Sequence, residues 1–254
     1  MAHLTFSDAN AKTRALARVP ALRRYLKNQR RIYSFDLPSG YTCPGADTCL
    51  AKAILGQNGK RSIWTGPNAD HRCFSASAEA AYPSVHAMRH RNFNALRGLR
   101  TTDAMARAIL QALPLQAGIV RLHVAGDYFN AAYFRAWLQV ARARPAVLFY
   151  GYTKSLPYWL DARDDVRRTR NLVLTASYGG KHDALIRSER LRSVKVAWSV
   201  AGAGRLPIDH DDSHAADPTR RRQSFALLLH GTQPAGSPAA AAKRALNGNG
   251  SYSR

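Results

Sequence analysis

Acidic residues and cysteines are both scarce in this chain of 254 residues, which has 16 Asp and Glu and three Cys. An odd number of cysteines argues against a closed disulfide framework, and a reducing compartment would leave the thiols free for metal or redox chemistry. No apolar run approaches the ~20 residues that cross a bilayer, and residues 1–20 lack the apolar stretch of a secretory signal. We therefore expect a cytoplasmic protein with no membrane partner.

The shortage of acid makes the chain strongly basic, because 38 Lys and Arg give a formal net charge of +22. Most of these residues are arginines, whose guanidinium group binds phosphate in a bidentate manner. Since the excess is spread along the chain, we predict a nucleic-acid partner. A generally basic surface without a specific ligand is the alternative. With a nucleic-acid partner, we expect a positive rim around the candidate pocket, joined by the N-terminal residues.

A regular alternation of apolar strands and amphipathic helices begins at residue 118. Successive strands start 23 to 31 residues apart, which is typical of right-handed βαβ crossovers and a parallel sheet. We predict an α/β fold in which parallel βα repeats form a full or partial TIM-like barrel, with an open doubly wound sheet as the alternative. The predicted strands lie near residues 32–37, 119–125, 147–152, 171–176, 194–200 and 225–230.

Composition divides the chain into three parts. Residues 1–31 are interpreted as a basic helical arm, and residues 32–237 as a single α/β catalytic domain. Within that domain, the cysteine segment 41–75 is inserted after the first strand. Residues 238–254 are rich in small residues, which favours a flexible C-terminal tail.

Polar and ionisable residues follow four successive predicted strands, where the functional groups of parallel α/β folds collect. Such a pattern indicates a lined pocket, and solvated loops are the alternative. We expect the buried carboxylate of Asp127 to have a cationic partner, either Lys154, Lys181 or His182 at a neighbouring strand end or a positively charged cofactor amino group. The candidate catalytic residues are His123, Asp127, Lys154, Lys181 and His182. The candidate cofactor-binding residues are Gly126, Asp127, Tyr152, Ser177, His230 and Gln233.

All three cysteines follow the first predicted strand, on what would be the active-site face of a barrel. Cys43 and Cys49 lie in CPGADTC, and Cys73 lies in HRCFSAS. Three thiolates match an open [4Fe–4S] cluster with one iron free for substrate or cofactor. They also suit a zinc ion with His71 as the fourth ligand. Buried cysteines without a metal are the third possibility.

A second polar cluster, IDHDDSHAAD at residues 208–217, is the densest acidic stretch of the chain, and we name it the acidic segment. Its closely spaced carboxylates and imidazoles indicate ligands for a divalent metal. Alternatively, the segment neutralises the arginines at 220–222. The candidate ligands are Asp209, His210, Asp211, Asp212 and His214.

Seven phrases of the sequence, spread from Ser34 to Ser237, resemble a known family. They are LPSGYTCPGADTC, HRCFSASAEA, RLHVAGDYFNAAYFRAWLQVA, FYGYTKSLPYW, TASYGGKHD, PIDHDDSHA and LLLHGTQPAGS. In this order they resemble the bacteriophage and mobile-element family known as gene product 88. The resemblance implies a phage or mobile-element origin and a location in the cytoplasm of a bacterial host, but it implies no activity.

The order of motifs is also similar to that of radical S-adenosylmethionine enzymes, although the usual C-x₃-C-x₂-C is replaced here by C-x₅-C-x₂₃-C. That similarity implies a [4Fe–4S] cluster on Cys43, Cys49 and Cys73, with S-adenosylmethionine on the fourth iron. It also implies that AGDYF, which contains Gly126 and Asp127, supports the cofactor's amino group. The predicted function is an iron–sulfur enzyme that acts on or near nucleic acid. The alternative is a nucleic-acid-binding protein, metal-dependent nuclease or replication accessory with zinc or another divalent metal.

Overall fold

The structure is a computed structural model that describes residues 3–246, and nine strands lie in that range. They are β1 Ser7–Asp8, β2 Arg31–Phe35, β3 Ala51–Leu55, β4 Arg61–Thr65, β5 Ala117–Leu122, β6 Leu148–Thr153, β7 Leu172–Ser177, β8 Ser193–Ala197 and β9 Phe225–Leu228. Seven of them form one sheet in the order β1-β2-β5-β6-β7-β8-β9. The short β1 pairs antiparallel with β2, and all other neighbours in the sheet are parallel.

Helices connect and cover these strands. The α-helices of the described range are α1 Ala11–Arg14, α2 Phe74–Ala81, α3 Pro83–Arg97, α4 Thr102–Ala112, α5 Ala131–Ala143, α6 Leu156–Asp161, α7 Arg163–Arg168, α8 Asp183–Ser188, α9 Val200–Ala203, α10 Ser213–Ala216 and α11 Pro238–Ala245. Three 3₁₀-helices span Ala15–Arg18, Pro20–Leu26 and Pro218–Arg220. In that range, no helix has the length and hydropathy that a membrane crossing requires.

The six parallel strands stand in the sheet in the same order as in the chain, which confirms the predicted α/β class. Each of the six predicted strands overlaps a strand of the sheet. Within residues 3–246, β9 pairs with β8 but not with β1 or β2, so the described sheet is open at both edges and forms no closed barrel.

Alternation along the buried strands separates two apolar layers. On β5, Val120 and Leu122 point to one face of the sheet, whereas Ile119 and Arg121 point to the other. The first face packs against helices α4 to α8 and contains the larger part of the core. Asn130 begins α5 as a typical N-cap, because its side chain accepts a hydrogen bond from the Tyr133 N–H at 2.8 Å.

The second face of the sheet, which we name the inner face, is covered by the N-terminal segment and α10. Leu16 and Leu22, in the first two 3₁₀-helices, are fully buried there. Ala215 and Ala216 of α10 pack into the same cluster. The residues interpreted as a basic arm therefore share the core of the α/β body and also supply β1.

Two regions of the chain lie beside the main sheet. β3 and β4 form an antiparallel hairpin within the crossover from β2 to β5. At the other end, α11 buries Ala239, and Leu246 packs into the same small apolar cluster at β8 and β9. Residues 247–254 of the predicted tail lie outside the described residues.

Candidate functional site

A cavity of about 990 Å³, its opening to solvent included, lies at the carboxyl ends of the parallel strands. Side chains on the inner face from β5 to β9, and the segments that follow these strands, form its wall. All three cysteines line this cavity, which we name the cysteine cavity. The sequence-predicted residues in its lining are Cys43, Cys49, His71, Cys73, His123, Gly126, Asp127, Tyr152, Lys154, Ser177 and His230.

Some of the predicted site residues lie away from that lining, namely Lys181, His182, Gln233 and the ligands of the acidic segment. Lys181 is exposed, and its ammonium group donates to the carbonyl of Pro44 at 3.1 Å. His182 precedes the first turn of α8. Lys181 therefore contacts the loop that carries the first two cysteines, and neither residue lines the cavity.

Backbone contacts hold the segment with Cys43 and Cys49 across the end of β6. The backbone N–H of Lys181 donates to the carbonyl of Gly45 at 2.9 Å. A Cβ on Gly45 would lie 2.2 Å from the carbonyl oxygen of Lys154. Only glycine permits so close an approach of two backbones. The CPGADTC loop is therefore built to cross the strand ends, which brings its two thiols to the cavity.

Cys73 reaches the cavity from a different direction, at the start of α2. Its carbonyl oxygen accepts a hydrogen bond from the backbone N–H of Ala76 at 3.2 Å. The preceding residue, Arg72, is fixed by Gln233: its N–H donates to Gln233 Oε1 at 2.8 Å, and Gln233 Nε2 donates to its carbonyl at 3.1 Å. Gln233 thus positions the Cys73 segment at the end of β9 and does not line the cavity.

The three free thiols lie in one electrostatic neighbourhood. Burial raises the pKa of Cys43 well above its usual value, and Asp127 and Cys73 raise it further. Burial also raises the pKa of Cys73 to about 11, with Cys49 as the next cause. Cys43 and Cys73 are therefore neutral at pH 7 unless a cation faces them. A metal centre would reverse this preference, because metals bind the thiolate.

The cysteine cavity presents no ready-made site for a single ion. Among residues 3–246, no three His, Cys, Asp or Glu side chains are grouped so that they could hold one metal ion. The predicted zinc site of three cysteines and His71 is therefore not preformed. In a four-iron cluster each thiolate binds a different iron, and the sulfurs lie ~6–7 Å apart. That the three sulfurs lie this close to one another stays a prediction.

Asp127 is buried at the end of β5, where hydroxyl and backbone donors bind it. Its carboxylate accepts hydrogen bonds from the Thr153 hydroxyl at 2.6 Å and the Lys154 N–H at 2.8 Å. The Lys154 ammonium group turns away and donates to the Ser177 hydroxyl at 2.7 Å and the Tyr178 carbonyl. The Lys154 ammonium group therefore forms no ion pair with Asp127, and a cofactor amino group as its cationic partner stays a prediction. Burial raises the pKa of Asp127, and its hydrogen bonds oppose that rise.

His123 follows β5 in a conformation that costs backbone energy. Its φ of 62° lies in the left-handed region, which is uncommon for residues other than glycine. Nε2 is 2.9 Å from the Tyr133 hydroxyl, while the buried Nδ1 has no hydrogen-bond partner among residues 3–246. Burial lowers the pKa of His123 to about 3. The cavity wall therefore contains a neutral imidazole whose Nδ1 is buried without a hydrogen-bond partner in the described residues.

The acidic segment lies beneath the cysteine cavity, and its most buried carboxylate is used inside the protein. Asp212 forms ion pairs with Lys12 at 2.7 Å and Arg121 at 2.8 Å. It also accepts hydrogen bonds from the hydroxyl groups of Tyr150 and Tyr152, at 3.0 Å each. Burial alone would raise the pKa of Asp212, but Arg121 and Lys12 hold it well below its usual value. Because Arg121 and Tyr152 line the cavity, this network forms its floor.

The other carboxylates of the acidic segment stabilise the turn that leads into α10. Asp209 accepts the backbone N–H of Ala215, and Asp211 accepts that of Ser213, both at 3.0 Å. The predicted divalent-metal ligands do not form a metal-binding group in the part of the chain that the structure describes. These ligands were Asp209, His210, Asp211, Asp212 and His214.

Asp209 gives a prediction about pH. Burial first, and then the charge of Asp212, raise the pKa of Asp209 to about 6, above the ~3.9 of an unfolded chain. The folded protein therefore binds more protons between these values, and this group makes stability fall as pH rises from about 4 to about 6. An Asp209→Asn variant should lack that fall while keeping the acceptor for Ala215. Denaturant titrations at several pH values measure the free energy of unfolding of both proteins. If that free energy depends on pH in the same way in both, the prediction is contradicted.

The candidate site residues from the sequence did not include Lys12, Arg121 or Tyr150. A signal for two of them was present: Arg121 interrupts an apolar strand two residues before His123, so the two side chains share a face. A lone arginine in a buried strand needs a carboxylate partner, and acid is concentrated in one segment of this chain. Tyr150 stands two residues before Tyr152 in the same way.

Fold and site together define a mixed α/β protein whose mostly parallel sheet carries a cysteine-lined cavity at the carboxyl ends of its strands. The Gene product 88 family matches residues 4–248, and the chain belongs to that family. This match confirms the family that the seven phrases predicted. No curated protein and no solved structure compared with the chain matches it. Its function therefore has to be inferred from its own residues.

Proposed function

We propose that this protein is an iron–sulfur enzyme of the radical S-adenosylmethionine type, with Cys43, Cys49 and Cys73 as the ligands of a [4Fe–4S] cluster. Three cysteines from two separate segments line one cavity at the carboxyl ends of parallel strands, and this observation carries the proposal. Three thiolates leave one iron of the cluster open for a further ligand. In this interpretation, β2 and β5 to β9 curve into a partial barrel around the cavity.

The surroundings of the sulfurs support a negatively charged cluster. The backbone N–H of Gly40 donates to the Cys43 sulfur at 3.4 Å, and Ser75 and Ala76 lower the pKa of Cys73 against the effect of burial. Hydrogen bonds of this kind orient metal ligands and tune the potential of iron–sulfur centres. The buried cavity disfavours bare thiolates, so a cationic metal core is the partner that these cysteines lack.

The remaining cavity wall supports S-adenosylmethionine as the ligand of the open iron. Gly126 has a φ of 83°, and a Cβ there would lie 2.5 Å from the Thr42 hydroxyl oxygen. The turn at Gly126 and Asp127 therefore requires glycine and presents its backbone at the cavity. We assign this turn to the amino-acid part of the cofactor. The polar wall residues Tyr152, Ser177 and His230 are assigned to the rest of it.

The chain's own residues would bind and orient these groups. When bound, the cluster would supply one-electron cleavage of a sulfonium carbon–sulfur bond, with the electron from an external low-potential reductant. Val196 and Leu229 form an apolar side of the cavity that excludes water. His123 adds an imidazole to the cavity wall that stays neutral at physiological pH.

The +22 charge favours nucleic acid as the macromolecular partner of this enzyme. The same charge supports the alternative, a nucleic-acid-binding protein with zinc or another divalent metal. The two functions differ in the metal that the cysteines hold, so metal analysis separates them directly.

Anaerobic purification followed by reconstitution with iron and sulfide tests the proposal. We expect a brown protein with ~4 iron and ~4 sulfide per chain, and an electron paramagnetic resonance signal after reduction with dithionite. Adding S-adenosylmethionine should change that signal, because it would bind the open iron. A colourless protein that holds one zinc ion, or a cluster signal that S-adenosylmethionine leaves unchanged, would contradict it.

A further inference from the structure

Seven arginines line a groove at the amino ends of the parallel strands, opposite the end that carries the cysteine cavity. Its volume is about 1290 Å³, its opening to solvent included. Arg170, Arg192 and Arg222 closely precede β7, β8 and β9, so the groove lies at the amino ends of these strands. We name it the arginine groove, and its arginines are Arg163, Arg167, Arg170, Arg190, Arg192, Arg221 and Arg222.

The arginine groove has little negative charge to balance these side chains. Glu189 is the one carboxylate among the lining residues that the structure describes, and it pairs with Arg163 at 2.5 Å. Arg167 pairs with Asp164 at 3.3 Å, but both side chains are mostly exposed, so that pair contributes little. The groove therefore keeps a surplus of positive charge in one concave place.

Two of the arginines are built into the fold. Arg192 donates to the carbonyl of Gln223 at 3.2 Å, and Arg221 donates to that of Leu172 at 2.7 Å. Burial lowers the pKa of Arg192 to about 10, so it remains charged at pH 7. These two side chains fix positive charge at the floor of the groove.

Three other arginines have exposed side chains without a partner among the described residues. Arg170, Arg190 and Arg222 are exposed, and their side chains make no hydrogen bond or ion pair within residues 3–246. Like charges that converge in a concavity repel one another, and an anionic ligand relieves that repulsion. Several forked guanidinium groups in one groove suit a ligand with repeated phosphates, each of which can accept a bidentate pair.

We propose that the arginine groove binds the sugar–phosphate backbone of a nucleic acid. This site differs from the positive rim expected around the cysteine cavity, where Arg121 pairs with Asp212 and Lys154 binds backbone oxygens. Of the proposed function, the inference uses only the nucleic-acid partner and not the cluster. A nucleic acid bound there would contact the amino ends of the strands, remote from the cysteines. The groove would hold the protein on the nucleic acid without taking part in the chemistry of the cavity.

The test compares two triple variants that lose the same charge. The groove variant is Arg170→Gln/Arg190→Gln/Arg222→Gln, and the control is Arg91→Gln/Arg100→Gln/Arg107→Gln. The control residues are exposed and lie on or beside α3 and α4. Circular dichroism first establishes that both variants fold. Fluorescence anisotropy with a labelled oligonucleotide, single-stranded and duplex, then measures Kd over a range of salt concentrations.

We expect the groove variant to raise Kd by at least ~10-fold at moderate salt and to reduce the slope of log K against log salt by about 2–3, since each lost phosphate contact removes about one unit. The control should change both values far less. Equal weakening in the two variants, or no effect in either, would overturn the proposal. So would a wild-type protein that binds inorganic polyphosphate or an acidic peptide but no oligonucleotide.

The measurement is made on protein with and without reconstituted cluster. Groove-dependent binding in a protein that holds no iron would leave this site standing while the enzyme proposal fails. If the protein holds its cluster but the groove variant does not weaken binding, the enzyme proposal stands and the groove proposal fails. The two proposals can therefore fail separately.

Discussion

Replacing Asp212 by Ala is expected to lower the free energy of unfolding by about 3–5 kcal/mol, a large share of the ~5–15 kcal/mol that a typical protein has. Asp212 is fully buried and is the shared counter-charge of Lys12 and Arg121. Without it, two buried cations would face each other, and the hydroxyl groups of Tyr150 and Tyr152 would lose their acceptor. Urea unfolding at pH 7, followed by circular dichroism, measures the loss.

Asp211→Ala is the matched control, because the residue is a neighbour in the same segment and its side chain accepts one hydrogen bond, from the Ser213 N–H. It should cost no more than ~1 kcal/mol. The pKa of Asp212 is depressed in the folded protein, so its contribution is fully present above ~3.9 and disappears as pH falls below that value. The gap between wild type and Asp212→Ala should narrow in acid. A similar loss in both variants would contradict this account.

The parallel strands were predictable because each is a short apolar run bounded by turn residues. β6 and β7 begin and end within one residue of the predicted 147–152 and 171–176. The hairpin of β3 and β4 was missed, since only two of its ten strand residues are buried, so it lacks the apolar run of a core strand. The Asn58-Gly59 pair between its strands was the available signal.

The N-terminal segment shows where composition misleads. Its arginines indicate a solvated face, yet Leu16 and Leu22 are fully buried on the inner face of the sheet. Leu16 and Leu22 are six residues apart, which is not the spacing of an amphipathic α-helix, and the segment in fact forms two 3₁₀-helices with a break between them. Periodicity at α-helical spacing therefore gave no warning that these leucines belong to the core.

The site was predictable as far as topology determines it. The carboxyl ends of parallel strands share an edge, so His123, Lys154 and Ser177 were expected at one cavity, and all three line it. Partners could not be predicted, because they depend on how loops cross those ends. The Lys154 ammonium group binds Ser177 and Tyr178 instead of Asp127. Small differences in distance select between such partners, and the order of residues in the sequence does not contain those distances.

Replacing Cys73 by Ser is expected to remove the reconstituted iron almost completely while the protein stays folded. Even the loss of an outer-shell partner weakens metal binding by about 10–100-fold, and here a direct ligand is lost. Serine keeps nearly the size of the side chain at the position that precedes α2. Its hydroxyl, however, does not ionise near neutral pH. Iron and sulfide content, visible absorption and circular dichroism measure the two parts of this expectation.

His71→Gln is the control that separates the two metals. His71 lines the same cavity as Cys73 and would be the fourth ligand of a zinc ion, but the proposed cluster does not need it. Iron content should therefore survive in His71→Gln and fall in Cys73→Ser. If both variants instead lose zinc, the cysteines form a Cys₃His site. If Cys73→Ser keeps all its metal, the thiols are core residues, and the radical-enzyme proposal fails because it depends on three cysteines that act on one centre.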